Sequence, residues 1–202
     1  GNIIVQYSSA SNKLWVINEL PLEDYLKGIA EASTSAPFEH LKTLTVAARS
    51  YAYYHLSHGG KHSGEPFHLK NSRNGNGDDQ VYKGYGLESR WPNLTNAVNQ
   101  TSGQVVTYEG APVITPYFSQ SDGRTRSWSE VWGGDVAWCV SVSDPDCNGR
   151  PKLGHGVGLS SYGAMKRAER GDSYQSILSY YYQGTGIGNV GNPNIRIAIY
   201  GI

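Results

Sequence analysis

The most constrained stretch of the chain runs from Leu20 to His58, L-P-L-E-D-Y-L-K-G-I-A-E-A-S-T-S-A-P-F-E-H-L-K-T-L-T-V-A-A-R-S-Y-A-Y-Y-H-L-S-H. Pro21 suits a first helical position, because its missing N–H would have no intrahelical partner in any case. Glu23 and Asp24 follow in the first turn, where the helix dipole favours negative charge, and Gly28 offers a place for the helix to end. The next residues, Glu31 to Ala36, are small and polar and read as a tight loop. At Pro37 a second helix begins, again with an acid, Glu39, in its first turn. Leu41, Leu44, Ala48, Tyr51, Ala52 and His55 then recur at intervals of three and four, one broad buried stripe. Ala47, Ala48 and Ala52 are small enough to let another backbone approach closely. The pattern predicts a short helix, a loop pinned at both ends, and a long helix. Glu31 lies in that loop, and a polar group on irregular backbone between rigid elements is what a catalytic acid needs.

Elsewhere the chain alternates strand and helix signals. Residues 3–7 and 14–18 flank S-S-A-S-N-K and read as an opening hairpin. Residues 59–79 are polar and glycine-rich and read as a long surface loop, a kind of segment that in compact domains tends to carry function or mobility. A short helix is expected over 93–100. The β-branched runs Gln104–Tyr108 and Pro112–Phe118 read as two strands about the turn E-G-A-P. Helices from about Ser160 to Arg170 and from Ser173 to Tyr182 precede a Gly/Asn-rich loop and a last strand, Ile195–Tyr200. At 202 residues the chain is long enough to bury a real core, and residues 1–202 read as one α+β domain with a mixed, mostly antiparallel sheet.

Composition excludes several classes of function. The formal net charge is zero, with neither a basic patch for nucleic acid nor an acidic tail for a cationic partner. No apolar run approaches eighteen residues, so no membrane span is expected. The sequence begins at Gly1 and shows no signal peptide, so an export signal or anchor is expected to lie outside it. Fifteen Tyr and five Trp against three Phe is a surplus of aromatics with a polar edge, which fits either sugar recognition or cross-strand pairing. Cys139 and Cys147, eight apart around S-V-S-D-P-D, fit the single disulfide of an exported protein. Free thiols are the alternative, and two cysteines alone are too few for a structural zinc site.

The run L-E-D-Y-L-K-G, an acid shortly after that glycine, and V-A-A-R-S-Y-A together resemble the opening signature of the SpoIID/LytB family, bacterial proteins of the cell wall and of sporulation. Two further blocks extend the resemblance over nearly the whole chain. Ser119, Ser121, Gly123 and Thr125 match the family's Ser-x-Ser-x-Gly-x-Thr, and Gly154–Ala164 (G-H-G-V-G-L-S-S-Y-G-A) is similar to its G-H-G-x-G-x-S-Q-x-G-A, with Ser161 in place of Gln. Gln80–Gly84 matches a shorter Gln-x-Tyr-x-Gly motif. Family members usually have Met-Pro after the acid and two more residues between the glycine and the acid, whereas here Ala32 and Ser33 follow. Counted back from V-A-A-R-S-Y, Glu31 falls on the family's acid.

The resemblance implies a groove walled by the three blocks and a lytic transglycosylase acting on peptidoglycan glycan strands outside the cytoplasm. One carboxylic acid, Glu31, would serve as both acid and base, and its pKa must then be raised by burial. The bland reading of Glu31 is an exposed loop glutamate. Substrate contacts fall by resemblance on Arg49, Gln80, Tyr82, Tyr117, Ser119, Ser121, His155, Ser160 and Tyr162. Arg49 reads equally as a structural ion pair, and His155 as a lock for its glycine-flanked turn. Many relatives carry two Cys and a His before the Gln-x-Tyr-x-Gly motif. Here that stretch has His68 and no cysteine, so no metal and no cofactor are expected. The LytB side of the family implies a rival role, a non-catalytic glycan-binding module that stimulates a cell-wall amidase. A third reading, an inverting hydrolase, recruits Asp122 as base.

Overall fold

The computed structural model describes residues 1–33, 35–72 and 79–202. Its centre is helix α2, Phe38–Ser57, entered from Pro37. The spacing predicted one buried stripe, but from His40 to Ser50 every residue except Lys42 is buried. The extra faces are covered by α1 (Leu22–Lys27), α4 (Pro92–Gln100), α6 (Ser161–Glu169), α7 (Tyr174–Tyr181) and strand β4 (Gln104–Tyr108), all of which contact α2. The small and polar residues Thr43, Thr45, Ala47, Arg49 and Ser50 are therefore interior too. Tyr51 and His55, at the end of the stripe, are only half-buried.

Among the described residues, three sheets surround this axis. In the first, the hairpin of β1 (Asn2–Ser8) and β2 (Lys13–Pro21) runs in register from Asn2 opposite Glu19 to Ser8 opposite Lys13. Strand β9 (Asn194–Gly201) lies antiparallel to β2, and β3 (Leu69–Lys70) lies parallel to β9. The second sheet holds β4 between β5 (Ala111–Pro112) and β8 (Gly186–Asn189), all antiparallel. The third is a short parallel pair, β6 (Tyr117–Phe118) with β7 (Leu159–Ser160). The result is an α+β fold with mostly antiparallel pairing. Helix α1 ends at Gly28, α6 starts from the Ser160 cap, and α7 starts from the Ser173 cap.

Several stretches differ from expectation. The strand expected over 112–118 is split between two sheets. Pro116 has no N–H for a ladder, and the chain turns there across α2, with the Thr115 hydroxyl donating to the Ala47 carbonyl (2.8 Å). The Pro116 carbonyl instead accepts from the Tyr182 hydroxyl (2.9 Å). Gly158 makes this crossing possible: its φ is +74° and a Cβ there would stand 2.1 Å from that same carbonyl oxygen. The stretch 59–79, expected as a polar surface loop, buries Phe67 and Leu69 and contributes β3; residues 73–78 lie outside the described residues. Helices α3 (Gly86–Arg90) and α5 (Trp128–Trp132) and strand β8 are four or five residues long, too short for a periodic pattern to announce them. Cys139 and Cys147 are free and buried rather than bonded to each other. Cys139 packs in the apolar cluster of Val106, Val113 and Tyr182, and Cys147 turns toward Ser160, with Sγ 3.8 Å from Oγ.

Arg49 is fully buried in α2. Its Nε and Nη2 donate to the two oxygens of Glu23 in α1 (2.9 and 2.7 Å). Nη1 donates to Thr101 Oγ1 (3.3 Å) and the Gln104 carbonyl (3.1 Å), and Nη2 also donates to the Val98 carbonyl (3.3 Å). Glu23 further accepts from the Gly103 N–H (2.9 Å). The guanidinium is therefore structural, and the substrate contact expected of it has no donor left to make it.

Breaking one side of a buried, hydrogen-bonded pair costs about 3–5 kcal/mol, so Arg49→Met should lower the urea unfolding free energy by that amount. Arg49→Lys should recover little of it, because an ammonium cannot reproduce the planar fork. Cys139 and Cys147 should resist alkylation in the native state, since burial pushes the Cys139 thiol up to about 12. Both should alkylate on denaturation without any reductant; an intact-mass loss of two hydrogens would mean a disulfide instead.

Candidate active site

The Glu31 loop is held by a short ladder. Ile29 bridges Tyr82 in antiparallel fashion, Lys83 N–H donates to the Gly28 carbonyl and Ala30 N–H to the Val81 carbonyl (both 2.8 Å). Gly28 is required here, because a Cβ would stand 2.4 Å from the Tyr82 ring. At the next rung the Val81 N–H goes to a side chain, donating to Glu31 Oε1 (2.8 Å). The motif Gln80–Gly84 thus aims the acid through its backbone.

The other carboxyl oxygen, Oε2, accepts a short hydrogen bond from the Tyr117 hydroxyl. Gln80 Nε2 donates to Tyr117 Oη (2.9 Å) and to the Ala48 carbonyl (3.2 Å), and Gln80 Oε1 accepts from the Tyr25 hydroxyl (2.8 Å). One relay therefore joins α1 (Tyr25), α2 (Ala48), Gln80, β6 (Tyr117) and the Glu31 loop. Every polar group of the Gln80 amide has a partner or faces one, which fixes its orientation.

Burial raises the Glu31 pKa, and the bonds from Tyr117 and Val81 pull it down without cancelling that rise. Burial and the neighbouring Glu31 carboxylate push Tyr117 well up, and the same two causes act on Tyr25. Both phenols are therefore neutral hydrogen-bonding groups at ordinary pH. Beneath the loop, Leu26, Ile29, Ala32, Leu41, Leu44 and Leu94 line an apolar pocket. Its free volume of about 20 Å³ is the size of one water, so this pocket desolvates the acid and does not admit a sugar ring. Tyr51 stands edge-on to Tyr117, with centroids 6.4 Å apart, and extends the aromatic wall.

Of the residues singled out in the sequence, Tyr117 bonds Glu31 directly and Gln80 reaches it through the Tyr117 hydroxyl. Tyr82 lies on the far side of the ladder, its hydroxyl accepting from Asn18 Nδ2 (3.0 Å), and it lines a separate cavity of about 710 Å³. Ser121 and Ser160 are fully buried. The Ser121 hydroxyl donates to the buried Asp144 (2.7 Å) and Ser160 caps α6, so both serve the fold instead of the sugar contacts expected of them. Ser119 is exposed and gives its carbonyl to Tyr162 N–H (3.0 Å). The Tyr162 ring lies 3.9 Å under the Arg150 guanidinium. His155 donates from Nε2 to the Tyr117 carbonyl (3.1 Å) and accepts at Nδ1 from Val157 N–H (3.0 Å), which leaves no ring nitrogen for a sugar. Asp122 is clamped by Arg126 (3.0 and 2.8 Å), and this partner holds its carboxyl below the usual range, unlike a free base. Tyr25 and the Val81 N–H were missed by the sequence reading; Tyr25 sits in the motif L-E-D-Y-L-K-G but reads there as plain helix core.

Among the described residues no group of three or more His, Cys, Asp or Glu is gathered closely enough to hold a metal ion. Asp79, just before Gln80, is bonded to Lys61 Nζ (2.5 Å), His62 Nε2 (2.8 Å) and the Lys70 N–H (2.6 Å). No helix among the described residues is long and apolar enough to cross a membrane.

Among the described residues, Glu31 is the carboxyl whose pKa burial raises, and it is aimed by a backbone N–H and a phenol from two separate matched stretches of an α+β fold. The chain belongs to the SpoIID/LytB family. The family model described as stage II sporulation protein matches residues 10–108. Stage II sporulation protein D of Bacillus subtilis is 23% identical over 265 aligned positions, covering 85% of this chain and 75% of that protein. An uncharacterised protein of Brachyspira hyodysenteriae is 34% identical over 140 residues, 68% of this chain. The chain spans about a third (36%) of that relative's length. The amidase enhancer of Bacillus subtilis is 69% identical over 32 residues, 16% of this chain and 4% of that protein.

Two outcomes test the electrostatics of the acid. A group whose folded pKa is raised binds more protons folded than unfolded between its two pKa values, so its contribution to stability is complete below the unfolded pKa and is lost as pH rises through the folded one. Glu31→Gln should therefore raise Tm at pH 7, with the gain shrinking as pH falls toward the ordinary glutamate value of 4.5; a lower Tm at pH 7 would contradict this. Tyr117→Phe removes a donor to the carboxylate and should move the Glu31 pKa further up, as read from the side-chain carbon shift in an NMR titration.

Proposed function

We propose that this domain cleaves peptidoglycan glycan strands outside the cytoplasm by lytic transglycosylation, with Glu31 as the single acid and base. The observation that carries this reading is the Glu31 carboxyl itself, raised in pKa by burial yet held by Tyr117 and Val81 at a half-buried position. Protonated Glu31 gives its proton to the bridging oxygen as the C1–O bond of the muramyl unit breaks. The carboxylate left behind takes the proton of that sugar's own C6 hydroxyl as O6 bonds to C1, which closes a 1,6-anhydro ring and regenerates the acid. The nucleophile belongs to the substrate, so its high effective concentration replaces a second carboxylate. Tyr117 Oη accepts as readily as it donates, and so can follow the proton through both steps while Gln80 holds it in place.

The match to the amidase enhancer supports a second reading, a glycan-binding module that stimulates a cell-wall amidase. Product masses from purified glycan strands separate the two. The transglycosylase reading requires anhydro-muramyl ends from the wild type and none from Glu31→Gln. It also requires a rate that falls on the alkaline side with an apparent pKa above that of an ordinary glutamate. Reducing ends would mean hydrolysis. Binding without cleavage at any pH, together with faster turnover of an added amidase, would establish the module instead.

A further inference from the structure

Helix α5 buries none of its residues and yet is firmly fixed. A reciprocal capping box closes its first turn, with Ser127 N–H donating to Glu130 Oε2 (2.7 Å) and Glu130 N–H to Ser127 Oγ (3.3 Å). Arg124 holds the same Glu130 through both guanidinium ends (2.9 and 3.2 Å), and Trp128 N–H donates to the Cys139 carbonyl (2.8 Å). Trp128 turns back to pack against the apolar cluster of Val157 and Leu159, whereas Val131 and Trp132 stay exposed. What the helix presents is Trp132, 46% exposed, its ring centroid 4.6 Å from Trp128 and 4.9 Å from His155. His155 continues the row to Phe118 at 5.5 Å and bonds the carbonyl of Tyr117, the residue whose hydroxyl holds the acid.

We infer that Trp132 is a sugar-stacking platform, a binding subsite for a glycan unit beyond the one at Glu31, joined to it through the His155 ring and the Tyr117 backbone. The inference rests on the glycan reading above. A sugar ring offers an apolar C–H face with hydroxyls at its edge, and a rigid, half-exposed indole suits that face. His155 makes an uncharged neighbour: burial lowers its pKa to about 4, and its two nitrogens are occupied, so its role is to position the indole and the Tyr117 backbone together. Glycan is favoured over a protein partner as occupant because His155, which packs against the Trp132 ring, also bonds the carbonyl of Tyr117, whose hydroxyl holds Glu31.

The test uses the tetramer of N-acetylglucosamine as probe, titrated calorimetrically into Glu31→Gln protein so that no turnover intervenes. Adding Trp132→Ala should weaken binding about tenfold, the effect of losing one aromatic contact worth roughly 1.4 kcal/mol, while Trp132→Phe should cost less than about threefold. Tryptophan emission should shift on tetramer binding, and that shift should be largely absent in Trp132→Phe, a readout independent of whether the alanine variant folds. Equal affinity in all three proteins overturns the subsite while leaving glycan recognition intact. Absence of tetramer binding by the Glu31→Gln protein itself, with Trp132→Ala abolishing amidase stimulation instead, overturns both and makes α5 a protein-docking surface.

Discussion

The ion pair between Arg49 and Glu23 is the constraint on which the rest of the architecture depends. An isolated charge inside an apolar interior is prohibitively unfavourable, so burying α2 on all sides obliges its arginine to be met from every direction. Glu23 from α1 takes one edge of the guanidinium, Thr101 and the Val98 carbonyl at the end of α4 take another, and the Gln104 carbonyl at the start of β4 completes the set. Each of those elements is thereby held at a fixed depth and rotation about α2. Glu23 in turn takes the Gly103 N–H, which ties the turn between α4 and β4 into the same cluster.

The acid inherits its precision from that frame. Helix α1, set by Glu23, carries Tyr25 toward Gln80, and α2, set by Arg49, gives the Ala48 carbonyl to the same amide. Gln80 is thus a joint between the core and the site: one end is fixed by groups whose positions the ion pair decides, and the other hands a hydrogen bond to Tyr117. Glu31 itself opposes the fold, because burial raises its pKa and so disfavours the charged form at neutral pH. A destabilised group held in place by a well-satisfied surround is the expected signature of a functional position. The apolar pocket under the loop, with room for about one water, supplies that desolvation.

The amino-acid sequence by itself determined the local elements whose signals are carried by neighbours in the chain. Pro21 and Pro37 opened their helices, Gly28 ended one, the Ser160 and Ser173 caps started two more, and the opening hairpin followed from alternation about a polar turn. Glu31 stood out in the sequence as a carboxylate in a loop between two such helices, and Gln80 and Tyr117 through the resemblance to the family. What only the tertiary structure decided depends on groups distant in sequence. Arg49 could have faced a substrate, and its commitment to Glu23 is visible only once α4 and β4 close around it. Ser121 and Ser160 belong to matched motifs yet lie beneath the surface, since a motif records that a residue matters and not whether it meets ligand or core. Cys139 and Cys147 are close in sequence, but the turn after Asp144 sends their side chains into different environments. The Val81 N–H that aims Glu31 carries no side-chain signal at all. Backbone donors and interior cavities arise from how elements pack, and one-dimensional periodicity reports which side chains favour burial without saying which of them will meet.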